Sequence, residues 1–372
     1  MMTPKLSSFW NRIQNSLFPK LESAFDRRLT EDHKKVAQTL EILRVEETIK
    51  QPYQWTGRPA QEWSVLCRAF VAKAVLGLPT TRSLIDRLRT DENLARMCGW
   101  KNASKVPHES TFSRIFAQLI RLNMAERIHG AVVETHLGAE LVEHASMDGS
   151  AVMGRERARG CAPKVNAPPK KRGRKKKGEK TPVIETDPKD HPALSRYVRR
   201  RPGRMLKALP QGCDWGCKKN SQGKAETWKG FKLHVLSADG EIPLACVLTR
   251  ASVHDSQTAP YLLKRARERT TFLYALADAA YDAKAIKDLV CRQGSVPIMD
   301  ANPRRGKTKI PMDPDRERRY RNRSRAERIF SLLNDEFGAT MIRVRGHRKV
   351  GAHLMFAVLA LTADQLLRIG SS

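Results

Sequence analysis

The sequence predicts an α/β protein (α+β overall), in which a mixed sheet flanked by helices follows an all-helical N-terminal region. Two observations predict this. Apolar residues recur at helical spacing through the first ~140 residues. After Leu141, strand-like and helix-like segments alternate behind an antiparallel hairpin, which implies a sheet with both parallel and antiparallel neighbours. A chain of 372 residues with 40% hydrophobic content can bury a sizeable core. The division expected is a helical domain over 1–140 and a second domain over 141–372, interrupted by a basic insertion at about 155–222.

Residues 60–76 place Trp63, Leu66, Phe70, Ala74 and Val75 on one helical stripe. Two short helices follow Thr81 and end at Gly99. In the next stretch Ser110 is the expected N-cap, with Phe112, Ile115, Phe116, Ile120 and Leu122 at the apolar positions. Two short helices ahead of a basic one suit a DNA major groove or an ordinary bundle, and periodicity favours neither. Residues 144–153 read as a strand with Asp148 at its centre. Strands over 228–237 and 242–250 flank a turn at Ala238-Asp239-Gly240. A helix from about 260, a buried strand ending at Asp278, a helix over 283–293 and a strand over 295–300 come next. A basic, proline-bearing loop over 301–316 carries Arg304, Arg305, Lys307 and Lys309. A helix over about 317–336 and an apolar helix over 351–369 complete the pattern, and no internal repeat is visible.

Charge narrows the function. With 69 Lys+Arg against 39 Asp+Glu, the net charge is +30. Such an excess suits a polyanion, most often nucleic acid, better than a small metabolite. Half of it lies in residues 155–222, which hold 21 basic and 6 acidic residues. Within them Lys170 to Lys180 has eight basic residues, among them Lys170, Lys171, Arg172, Arg174 and Lys175. No core can form from such a run, so it is a loop or arm. Phosphate-backbone contact is favoured, and a solvated linker or an import signal fits the same composition. No signal-peptide core is visible in Met1–Leu17, and the apolar run Leu354–Leu361 is too short to span a bilayer. Seven scattered cysteines suit reduced thiols in a cytosolic compartment. Cys213 and Cys217, the one close pair, have no second pair to complete a zinc site and read as unrelated thiols.

Three acids stand out by position. Asp148 lies inside a strand, where Asp is disfavoured. Asp278 closes the apolar strand, and Glu327 lies on the helix after the basic loop. Singly, each suits a cap or a solvated surface. Together, on separate elements of a basic protein, they suit Mg²⁺, which prefers carboxylate oxygens. Two such ions can activate an attacking oxygen and stabilise the leaving one in phosphodiester displacement. At about 100° per residue, Tyr320, Arg323, Glu327 and Asn334 share one helical stripe, opposite Ile329, Leu332 and Leu333. A solvated face with an Arg323–Glu327 pair is the plainer alternative.

These residues carry a family resemblance. Met147-Asp-Gly-Ser-Ala-Val152 resembles the first motif of the DDE transposases of bacterial insertion sequences. Residues 228–235 (WKGFKLHV) resemble that family's G-Y-K-L-H strand, with Phe231 in place of Tyr. Residues 251–256 (ASVHDS) and 277–282 (ADAAYD) resemble the stretches before and at its second acid, with Ala280 in place of glycine. Tyr320, Arg323 and Glu327 match the spacing of the Y-R-E-K signature, whose final Lys is here Asn334. VPHESTFSR, from Val106, resembles an N-terminal stretch of the same family. The resemblance implies an RNase H-like catalytic domain and cut-and-paste DNA transposition. It implies that Asp148, Asp278 and Glu327 bind two Mg²⁺, with Mn²⁺ a substitute. It also implies that Arg323 meets a phosphate and Tyr320 the end nucleotide. The partners implied are the element's terminal inverted repeats, target DNA and a second copy of the chain, in the bacterial cytoplasm at the nucleoid, with no membrane. An RNase H-like nuclease that does not join strands, or a non-catalytic DNA-binding descendant, are the alternatives. Asp148 and Asp278 are 130 residues apart, and Asp278 and Glu327 are 49 apart. The second interval leaves no room for the β insertion that in some relatives supplies a base-holding aromatic. Trp215 or Trp228 would have to substitute, although a core position is the commoner use of tryptophan.

Overall fold

A computed structural model describes residues 4–25, 28–51, 61–158, 192–219, 223–302, 311–340 and 342–371. The arm residues Lys170, Lys171, Arg172, Arg174 and Lys175 lie outside the described residues, as do Arg304, Arg305, Lys307 and Lys309.

Among the described residues, every regular element of the first 137 is a helix. Helix Trp63–Val75 is buried almost all round, whereas Thr81–Thr90 and Glu109–Arg121 keep one apolar face. Thr80 caps the second of these, accepting from Ser83 N, and Gly99 in the left-handed region (φ 116°) closes Glu92–Cys98. The expected Ser110 cap is corrected: His108 is the N-cap, and its ring Nδ1 accepts from Ser110 N.

The sheet has six strands: β1 (Leu141–Met153), β2 (Asp214–Lys219), β3 (Ala225–Ala238), β4 (Ile242–Arg250), β5 (Thr271–Ala277) and β6 (Val296–Met299). Its order is β2-β3-β1-β5-β6, and β4 pairs with β3. β3 runs antiparallel to β1, β2 and β4, while β1-β5 and β5-β6 are parallel. This is the mixed, RNase H-like order expected from a hairpin followed by alternating strands and helices. Parallel strands need crossovers, and helices Ala259–Arg267 and Lys284–Arg292 occupy the connections before β5 and β6.

The helix expected over 317–336 is broken. Asp313 caps Pro314–Tyr320, accepting from Asp315 N (3.0 Å), and Pro314 fills the first turn. A 3₁₀ turn, Arg321–Arg323, separates it from Ser324–Asp335. That last helix packs on β1 and β3 and buries Ala326, Ile329, Phe330 and Leu333. The final helix, His347–Ser371, is longer than expected and, by length and composition, apolar enough to cross a membrane. Its apolar surface is buried: it packs on β4 and on helices Pro4–Arg12, Glu31–Leu43, Trp63–Val75 and Met124–Leu137. A helix apolar on all sides suits such a position inside a core as well as a bilayer.

Candidate active site

Register brings the two aspartates together. Parallel pairing sets Met147 of β1 opposite Ala277 of β5, so Asp148 and Asp278 follow side by side where β5 ends. Each commits one oxygen locally. Asp148 Oδ1 accepts from Gly149 N (2.8 Å), and Asp278 Oδ1 caps the 3₁₀ turn Ala279–Tyr281 by accepting from Ala280 N (2.9 Å). Their second oxygens remain for another partner.

For Asp148 the nearest cation is Arg323. Its Nη1 lies 4.0 Å from Asp148 Oδ2, while its Nη2 donates to Glu327 Oε1 at 2.8 Å. The Arg323 guanidinium stands 5.8 Å from the centre of the Tyr320 ring. Tyr320, Arg323 and Glu327 thus do share a side, although the 3₁₀ turn breaks the continuous helix from which that stripe was argued.

The electrostatics are those of a desolvated acid pair. Burial lifts the Asp148 carboxyl to about 6, and the Asp278 and Asp255 charges push the same way. Asp278 is also raised, chiefly by burial. Burial alone would lower the Arg323 guanidinium, but Tyr320, Asp148, Glu327 and Asp278 together raise it. Two hard, partly desolvated carboxylates are the donor set a divalent cation satisfies. Glu327, whose side chain is 57% exposed, is turned onto Arg323. Among the described residues no three His, Cys, Asp or Glu side chains are grouped as a metal site. The expected triad is therefore two aspartates together and a glutamate held beside them by an arginine.

Four neighbours were not singled out from the sequence. Lys232 and His234 of β3 meet Asp255, in the 3₁₀ turn Asp255–Gln257. Lys232 Nζ donates to Asp255 Oδ2 (2.8 Å), and His234 Nδ1 lies 3.2 Å from Asp255 Oδ1. Burial by itself would raise Asp255, but His234 and the Lys232 ammonium hold it down at about 2. Burial lowers the His234 pKa, against the upward pull of its Asp255 neighbour. The trio backs onto Gly149, where a Cβ would come 2.9 Å from both Asp255 Oδ1 and His234 Nδ1. Tyr281 is fully buried, and among the described residues its hydroxyl has no hydrogen-bond partner; burial and the charges of Asp255, Asp148 and Asp278 push its pKa well up. Their sequence signal was the strings KLH (232–234), HDS (254–256) and AYD (280–282) within the resembling stretches. Of the two tryptophans, Trp228 is a core residue, 5% exposed, with Nε1 donating to Phe231 O at 2.9 Å. Trp215 on β2 is 59% exposed.

Residues 171–363 match the family described as Transposase DDE domain, and residues 23–118 match Transposase domain (DUF772). The first match contains Asp278, Arg323 and Glu327 and begins after Asp148. No curated protein and no solved structure matches the chain. A match over half the chain, joined to an RNase H-like sheet with paired aspartates at its open end, makes the protein a member of the DDE transposase family, which cleaves phosphodiester bonds in DNA and transfers the cut strands.

Proposed function

We propose that Asp148 and Asp278, joined by Glu327, are the catalytic carboxylates of this transposase, and that they hold two Mg²⁺ ions which Mn²⁺ can replace. The adjacency of the two aspartates at the end of β5 carries this reading. Bound cations would polarise the scissile phosphate and make the attacking oxygen a better nucleophile. The protein's own residues do the rest. Asp148 and Asp278 keep one oxygen each on the backbone and present the other, so their orientation is set before any ligand arrives. Arg323 leaves the carboxylates for a phosphate next to the cut, which releases Glu327 to join the aspartates. Tyr320 packs against the terminal nucleotide.

The helical region 1–140 and the arm around Lys170, Lys171, Arg172, Arg174 and Lys175 would grip the terminal inverted repeats, with the catalytic region spanning 141–372. Two copies of the chain would act together on element ends and target DNA, at the nucleoid of a bacterial cytoplasm. Incubating the protein and Mg²⁺ with a plasmid that carries the element ends tests the proposal. Wild type should give cut and joined products. Asp148→Asn should lose about 10³-fold or more of the cleavage rate, because the loss removes several kcal/mol of transition-state stabilisation. Undiminished cutting by Asp148→Asn would overturn the assignment.

A further inference from the structure

We infer that the segment Arg343–Lys349 is a second DNA-binding surface, which takes the phosphate backbone of the duplex running away from the catalytic aspartates. The segment reads RVRGHRK, with four permanent cations and no acid. Residues 342–345 belong to neither a helix nor a strand, and their burial alternates: Ile342 is buried and Val344 packs on the core, while Arg343 and Arg345 are exposed. Arg348 and Lys349 follow, exposed in the first turn of helix His347–Ser371, where no acidic residue offsets them. Cations at a helix N-terminus oppose the helix dipole, so these two are not there for the helix. Among the described residues none of the four forms an ion pair, although most arginines at the site and along the helices do. The nearby acid Glu156 is engaged with the backbone, its Oε2 accepting from Gly346 N at 2.9 Å.

The strip is fixed relative to the site. The His347 ring packs 5.7 Å from Phe231 of β3, and Gly212 N donates to His347 Nδ1 at 3.5 Å. Phe231 pairs with Val152, and Val235 pairs with Asp148, so Phe231 and Asp148 lie on one face of the sheet. From Val235 to Phe231 is four residues, about 13 Å along the strand. A duplex seated at Asp148 and following that face passes over the strip within the first few base pairs.

The position of the strip relative to the cut rests on the reading of Asp148 as catalytic; its affinity for DNA does not. The test is fluorescence anisotropy with a labelled duplex of arbitrary sequence across a salt series. Neutralising the strip (R343Q, R345Q, R348Q and K349Q together) should weaken binding at least tenfold and reduce the magnitude of the salt slope by about 3 to 4, since each neutralised phosphate contributes ~0.9. The charge-keeping set R343K, R345K and R348K should bind within about threefold of wild type, which separates charge from folding. An unchanged slope in the neutralised protein, or equal loss in both sets, overturns the inference. Should Asp148→Asn still cut DNA, the catalytic assignment falls while the strip stands or falls on its slope.

Discussion

An aspartate buried beside another aspartate works against the fold that holds it. In the folded chain Asp148 releases its proton near 6 rather than at the ordinary 3.8, so the folded state binds more protons than the unfolded one between those values. Its contribution to stability is intact below the ordinary value, falls as pH rises toward 6, and stays lost above. A difference of that size corresponds to about 3 kcal/mol. Asp148→Asn should therefore be more stable than wild type at pH 8, by up to about 3 kcal/mol, and no more stable at pH 3.5, as urea titrations at the two pH values would show. Asp255 has the opposite sign: held near 2, it contributes stability above the ordinary value and loses it as pH falls. Gly149 gives a second prediction. Its backbone is unremarkable, but an added Cβ would press on Asp255 and His234, so Gly149→Ala should cost about 1–3 kcal/mol in urea unfolding. Asp148 and Asp278 were legible because acids are out of place in apolar strands. Lys232 and His234 were not, because polar residues alternating along a strand read as its solvent side. Their meeting with Asp255 depends on contacts between β3 and a turn beyond β4, which no local pattern encodes.

At the level of elements, the helical region and the sheet are joined by charge as well as by apolar packing. Glu126, on helix Met124–Leu137, takes Arg265 in a bidentate pair (2.9 Å each) and also receives Arg269. Arg269 is nearly inaccessible and donates further to Leu244 O (2.6 Å) and His129 Nδ1 (2.9 Å). Removing the carboxylate leaves a buried guanidinium under-paired, so Glu126→Ala should cost about 3–5 kcal/mol, measured by chemical denaturation. The strands β1 and β3 to β6 and the helices from Trp63 on were readable within a few residues, because their apolar periods are clean, whereas helices Pro192–Arg199 and Pro202–Ala208 and strand β2 lie within 155–222, which its charge marked only as a basic insertion. The misses are instructive. The break at Arg321–Arg323 has no Pro or Gly to announce it, and a run rich in Arg and Glu forms an unbroken helix as readily. The His108 cap was passed over because an imidazole acceptor is not among the usual capping side chains.

For the molecule as a whole, helix His347–Ser371 matters most. It joins four N-terminal helices to β4, and Phe356 on it packs against Phe70 (5.6 Å between ring centres) and Phe116 (6.3 Å). Two separable domains would melt in two steps. A shared core predicts one calorimetric transition with equal calorimetric and van't Hoff enthalpies. Phe356→Ala should lower that single transition, at a cost of about 3–5 kcal/mol. The sequence showed an apolar C-terminal helix but not which surfaces it served, since burial on all sides leaves no amphipathic mark. The parallel register of β1 and β5 has a consequence of its own. Asp148 and Asp278 become neighbours only when strands from distant parts of the chain have locked in step, and a slip of one residue would turn one of them to the opposite side. On the proposed assignment of these two aspartates, a half-made or misthreaded copy has no cutting site.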